Sequence, residues 1–169
     1  MSEELEIKNR VAESGLVNFD ISMLIPKGER KGIDLKDFLF EGLILKEKDF
    51  REKIALLNPE DFRDCYIYIF NSENAVVPLW SYFLITAKLT DVVKKIVFGN
   101  REDLEILLMH EAVKTYDFSE MRGKRILLKG CSNTIVPENA YIELVEQLKP
   151  IAKSLMFGEA CSNVPIFKN

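Results

Sequence analysis

The sequence is poor in the residues that build active centres. Its 169 residues include one histidine, His110, and three cysteines, Cys65, Cys131 and Cys161. A lone histidine excludes the two-histidine zinc motif of metalloproteases: His110-Glu111 is followed by Ala112-Val113-Lys114. The eight glycines form neither a phosphate loop nor a dinucleotide-binding fingerprint. Positive charge is in deficit. Lys and Arg number 23 against 27 Asp and Glu, for a net charge of -4, so nucleic acid is not expected as a main partner. Long hydrophobic runs are missing too. The longest uncharged stretch, Asn74 to Ala87, contains Pro78, Ser81 and Thr86 and is too short to span a bilayer. The first residues, Met1-Ser2-Glu3-Glu4-Leu5-Glu6, are acidic where a secretory signal is basic and then apolar. A soluble, cytoplasmic protein is expected, with no membrane contact. Three thiols without a secretory context are expected to be reduced rather than bridged.

What is present is an ordinary globular balance, 47% hydrophobic and 30% charged. At about 150 residues per domain, one domain spanning 1–169 is expected. A chain of this length buries roughly 70% of its unfolded surface, so folding needs no metal or disulfide. Leu16 to Ile25 alternates, with Val17, Phe19, Ile21, Met23 and Ile25 on one face, and predicts a half-buried strand. Pro26 to Gly32 reads as a charged, solvated turn. Asp34 caps a short helix with Phe38, Leu39 and Phe40 on its apolar side. Glu47 to Asn58 reads as a helix ended by Asn58-Pro59, with Phe50, Ile54 and Leu57 at helical spacing.

Residues 64–99 align with 123–158 without a gap. Asn74 meets Asn133, Val77-Pro78 meets Val136-Pro137, Tyr82 meets Tyr141, and Phe98-Gly99 meets Phe157-Gly158. Each segment has an apolar run, a polar loop, Val-Pro, a helix, a short second run and Gly. The expectation is an internally duplicated strand–helix–strand unit. Proline suits a helix start, where its missing N–H is unpaired anyway. A helix from Asn100 to Tyr116, capped by Asn100, joins the copies. Alternating strands and helices predict an α/β fold, a three-layer domain with a mostly parallel sheet. The helix after Pro78 is apolar nearly all round and belongs in the core or in a subunit interface, so a homodimer is expected. Its counterpart after Pro137 turns Tyr141, Leu144, Val145 and Leu148 inward.

Ligands of parallel sheets bind at the carboxyl ends of the strands. Cys65 begins its strand and lies at the opposite edge, as a small buried hydrophobe. Cys131 directly follows one strand, where the other copy has Ser72, and Cys161 follows the last strand. Both are expected at the carboxyl edge, near a helix N-terminus that favours thiolate. A thiolate binds soft metal, carries sulfur or acts as a nucleophile. Two thiolates do not complete a tetrahedral zinc site, so Glu159, Glu138 or a second subunit has to supply the rest. A dimer with these loops on its axis offers four cysteines, enough for zinc, iron or an iron–sulfur cluster. His110 is expected to be a satisfied surface histidine. Trp80, Tyr66, Tyr68, Tyr82 and Tyr141 read as core or interface residues. Lys153 reads as a snorkelling surface lysine.

Several segments carry a family resemblance: Pro26-Lys27-Gly28-Glu29-Arg30, Leu39 to Arg51, Lys129-Gly130-Cys131, and Lys153 to Glu159 followed by Cys161-Ser162. Together they resemble the bacterial family catalogued as domain of unknown function 2480. The resemblance covers nearly the whole chain. It brings no catalytic residue. Its implied partners are iron–sulfur assembly proteins, because members lie near genes of the sulfur-mobilisation route. Three readings are open. In the first, Cys131 and Cys161, with Glu159 as an oxygen ligand, bind a metal or assist iron–sulfur assembly. In the second, the protein is a non-catalytic interaction module with inert cysteines. In the third, it is a small thiol enzyme with Cys131 as nucleophile.

Overall fold

A computed structural model describes residues 15–130 and 136–169. In chain order the elements are β1 (Leu16–Asp20), β2 (Arg30–Asp34), α1 (Glu47–Leu56), β3 (Tyr66–Phe70), α2 (Leu79–Leu89), β4 (Lys95–Phe98), α3 (Arg101–Thr115), β5 (Arg125–Lys129), α4 (Glu138–Leu148), β6 (Ser154–Glu159) and β7 (Ser162–Lys168). The fold is α/β and the pairing mostly parallel, as expected. It is distributed over two sheets rather than one. The chain divides in the same way into two compact units. Pro26–Leu108 forms an inserted unit, and the segment up to Ile25 forms a discontinuous unit with Met109–Asn169.

In the inserted unit, β2, β3 and β4 run parallel in that order. The run Tyr66-Ile67-Tyr68-Ile69-Phe70 alternates with the pleat, so Ile67 and Ile69 are buried and the aromatics between them half-buried. Phe50 and Ile54, one turn apart on α1, join these isoleucines and Ile85 and Leu89 of α2 in one core. The Trp80 indole meets Phe50 edge to face at 5.4 Å, a core role as expected.

Strand β2 corrects the expected solvated turn over Pro26–Gly32. Its signal is weak because Ile33 is its only fully buried residue. Arg30 is fixed by partners far along the chain. Its guanidinium donates to both Glu105 carboxylate oxygens, at 2.9 and 3.1 Å, and lies 5.0 Å from the Tyr66 ring centre. Gly32 lets the Tyr68 ring of the next strand lie close, since a Cβ there would come within 2.6 Å of it.

In the discontinuous unit, β1, β5 and β6 are parallel neighbours and β7 is antiparallel to β6. Ile126 and Leu128 of β5, Leu155 of β6, and Ala140, Leu144 and Leu148 of α4 form its core with Phe19, Met109 and Val113. Each fully buried aliphatic side chain contributes about 1.5–3 kcal/mol of transfer free energy. Tyr141 and Val145 of α4 are half-buried against the same core. Leu16 to Ile25 is a strand only as far as Asp20. The Asp20 carboxylate accepts the Ser22 amide at 2.9 Å and starts a 3-10 turn, Ile21–Leu24, so Met23 is left exposed.

The segments 64–99 and 123–158 both fold as parallel β-α-β units, β3-α2-β4 and β5-α4-β6. Crossover units in any parallel sheet share that order, so it does not itself establish duplication. Pro78 and Pro137 are the cap residues of α2 and α4, one position before the expected helix start. The Asn100 cap of α3 is present: its side chain accepts the amides of Glu102 and Asp103.

Asp34, at the carboxyl end of β2, accepts the Ser72 hydroxyl at 2.6 Å and the amides of Ser72 and Lys36 at 3.1 Å. Burial pushes its pKa up. The Ser72 hydroxyl, the two amides and the Lys36 charge outweigh burial and hold the carboxyl below its ordinary 3.8. A lowered folded-state pKa gives stability that is present above the unfolded pKa and lost as pH falls through the folded one. Asp34→Asn should therefore be less stable than the parent at neutral pH, and the gap should close on acidification below about pH 4. Urea unfolding of both proteins across that range checks this; a gap independent of pH refutes it.

Candidate functional site

Of the residues anticipated from the sequence, Glu159 and Cys161 lie at the carboxyl edge of the sheet in the discontinuous unit. β5 and β6 pair from Arg125↔Ser154 to Leu128↔Phe157, so the chain leaving either strand emerges at that edge. Lys129 ends β5 and Gly130 follows it. A Cβ on Gly130 would fall 2.2 Å from the Phe157 ring, so this glycine lets the neighbouring aromatic close over the strand end. Cys131 comes next and lies outside the described residues, and so does its separation from Cys161.

Strand β6 continues to Glu159 and turns through Ala160-Cys161 into β7. Gly158 pairs with Asn163 and Glu159 with Ser162, and the Asn163 side-chain amide donates to the Glu159 carbonyl at 3.3 Å. Gly158 has φ 129°, and a Cβ would sit 2.6 Å from the Ser162 carbonyl oxygen. Glycine is thus required for the hairpin to close. At its tip Cys161 is an exposed free thiol, two residues from the exposed Glu159. The sequence places Cys161 after a final strand; β7 is not legible there because it is an exposed ribbon with Pro165 inside it.

Asp20 and Lys129 stand in register on β1 and β5 at the same edge. The Ser22 hydroxyl, then the Ser22 amide, hold the Asp20 carboxyl below its ordinary range; burial opposes them and Lys129 adds to them. Sequence reasoning did not single out this pair. Its signal is Asp-x-Ser at a strand end, a pattern in which the acid accepts the amide two residues on.

The remaining residues fall where the sequence puts them. Cys65 is buried before β3, with its sulfur 3.5 Å from the Arg63 carbonyl. Burial first, then nearby Glu29 and Asp64, push its thiol pKa up against the pull of Lys31. His110 is partly exposed on α3, its Nδ1 2.9 Å from the Glu143 carboxylate. Glu138 is exposed in the first turn of α4. Among the described residues no three His, Cys, Asp or Glu side chains gather to hold a metal. No helix among them is long and apolar enough to cross a membrane. In the inserted unit a shallow cavity of about 340 Å³ has Phe38, Phe40 and Leu56 beside Glu41, Asp49 and Glu52, without thiol or imidazole.

A family model described as a protein of unknown function, DUF2480, matches residues 5–169. The chain belongs to this family. No curated protein and no solved structure matches it. The segments that carry the resemblance are placed differently in this DUF2480 chain. Lys153 to Ser162 forms β6 and the hairpin tip, whereas Leu39 to Arg51 forms a tight turn and the start of α1, away in sequence from any cysteine.

The thiols and the turn can each be tested directly. Iodoacetamide applied to the native protein should modify Cys161 at least about tenfold faster than Cys65, because one thiol is in water and the other is buried with a raised pKa. Peptide mass spectrometry over time reads the two rates, and equal rates contradict the assignment. Gly158→Ala should destabilise the hairpin by about 1–3 kcal/mol, from backbone strain and the Ser162 collision. Faster amide exchange in β6 and β7, with β2–β4 unchanged, is the expected signature.

Proposed function

We propose that this protein is a thiol-based accessory protein that binds a metal or assists iron–sulfur cluster assembly through Cys161 and Cys131. Glu159 supplies an oxygen ligand, and iron–sulfur assembly proteins are its partners. The observation that supports this reading is the two-residue turn at the end of β6. It leaves Cys161 a free thiol in water, two residues from Glu159, at the edge toward which β5 also runs. A soft sulfur with an adjacent carboxylate suits zinc or iron. A second copy, or a partner's own ligands, completes the coordination. Each thiol must lose its proton to ligate, so occupancy rises with pH.

A second reading, an interaction module with inert cysteines, is favoured by the uncharged exposed face of α2. The deciding experiment is metal and acid-labile sulfide analysis of protein purified without oxygen, beside a Cys131→Ser, Cys161→Ser double variant. Stoichiometric metal in the parent that is lost in the folded variant, and that falls as pH is lowered, is the expected result. Neither metal nor sulfide in the parent sinks a stable metal site, leaves transient sulfur transfer open and moves the search to protein partners.

A further inference from the structure

The inserted unit carries an exposed helix face that is built unlike the other helices. The solvent-facing residues of α2 are Leu79, Phe83, Thr86 and Ala87, and Thr90 comes at its end. They recur at the spacing of one helical stripe. None is charged, and the one charged residue of α2, Lys88, lies off that stripe. α1, by contrast, exposes Glu47, Lys48, Arg51, Glu52 and Lys53. The sharpest comparison is with α4, which aligns with α2 in the sequence. Where α2 has Leu79, Ala87 and Thr90, α4 has Glu138, Glu146 and Lys149. The two helices, with the same place in a β-α-β unit, both expose an apolar residue where Phe83 aligns with Ile142, and differ at these three positions, charged on α4 and uncharged on α2.

The apolar surface extends beyond the stripe. Val76 precedes the helix and is 92% exposed; Leu79 is 69% and Phe83 64% exposed. Tyr82 reaches from α2 to meet Phe98 edge to face at 5.1 Å, and Phe98, 72% exposed, ends β4. Among the described residues β4 pairs with β3 alone, so it is the edge strand beside this patch. Together Val76, Leu79, Phe83 and Phe98 expose on the order of 500 Å², the upper range for a patch on a monomer. Two such patches face to face bury about 1,000 Å², the size at which an interface becomes specific.

We infer that this face of α2 and β4 is a self-association surface, and that its occupant is the same face of a second copy of the chain. The stripe is self-complementary in shape. Its bulky end, Leu79 and Phe83, is followed by a small end, Thr86, Ala87 and Thr90. An antiparallel pairing across a two-fold axis sets each bulky end against the partner's small end, twice over. The small residues let the helices approach closely, and no charge has to leave water. This surface is distant in sequence from Cys131 and Cys161, so it stands or falls separately from their chemistry.

Sedimentation equilibrium on the full chain tests it. The parent should sediment at twice the 19.5 kDa of one chain. Phe83→Lys and Ala87→Lys should each halve that mass while keeping the parent's circular dichroism. Ile142→Lys, on the exposed face of α4, should leave it unchanged. A parent that sediments as a monomer throughout the loading range overturns the proposal and turns the face over to a different protein. Variants at Phe83 and Ala87 that remain dimeric overturn it equally, because they move the interface elsewhere.

Discussion

Because β5 and β6 run parallel and in register, the chain leaving either strand must emerge at one edge of their sheet. The register is set by burial. Ile126 and Leu128 on β5 and Leu155 on β6 are sealed beneath Ala140, Leu144 and Leu148 of α4. A slip of one residue would turn those side chains to the opposite face, so the pairing is strongly specified. That single constraint determines the position of Gly130 beneath the Phe157 ring, the overhang of β6 to Glu159, and the emergence of Cys161 into water. The hairpin adds the second condition. Only glycine at 158 allows the backbone to fold back on Ser162, so the thiol's exposure depends on a residue with no side chain.

The protein uses β-α-β construction in two ways. In the discontinuous unit α4 is amphipathic: its inner stripe fills the core, and its outer face carries Glu138, Glu146 and Gln147 around one exposed apolar residue, Ile142. In the inserted unit α2 buries Ser81, Ile85 and Leu89 and leaves uncharged residues outside. Burying one side of a helix needs only one apolar stripe. The second uncharged stripe of α2 gives nothing to the fold of its unit, where it meets water. Its cost is solubility, and that cost is recovered only if something covers it. Architecture alone would have allowed α2 the charged surface that α4 has.

Much of the fold was legible because it rests on strong local signals. The apolar run Tyr66–Phe70, the helical spacing in Glu47–Asn58 and the Asn100 cap each correspond to one dominant interaction; the strand and the cap formed as read, and the helix ends two residues early, at Leu56. The misreadings share a different cause. Leu16 to Ile25 keeps an alternating pattern to its end, yet one side-chain acceptor on Asp20 diverts the backbone after five residues. β2 looks like a charged turn because what holds it is pairing with β3 and the reach of Arg30 to Glu105, 75 residues away. β7 has little burial and contains a proline, so its strand character comes from β6 alone. Where a segment is held by a distant partner rather than by its own apolar pattern, the sequence shows the residues and hides the reason. The division into two sheets has the same origin, since alternation of strands and helices states that crossovers exist and not which strands they join.

The candidate site was legible to the extent that it depends on strand ends. The sequence sorts Cys65 to the start of a strand and Cys161 to the end of one, and the structure places each so, though in two different sheets: one thiol is enclosed with its pKa raised, the other stands at a turn in water. A nucleophilic thiol enzyme needs a base within hydrogen-bond reach of its sulfur. His110, mid-helix on α3, is engaged by Glu143 through Nδ1, and the distance from its ring to Cys131 lies outside the described residues. A ligand or carrier thiol needs no such base. It needs exposure, a second soft or oxygen donor within reach, and a partner to exchange with. Of these, the hairpin tip provides the exposure, and Glu159 two residues away is the nearest oxygen donor in sequence. In the reading proposed above, a thiol on a turn at a sheet edge hands something on rather than holding a substrate for turnover.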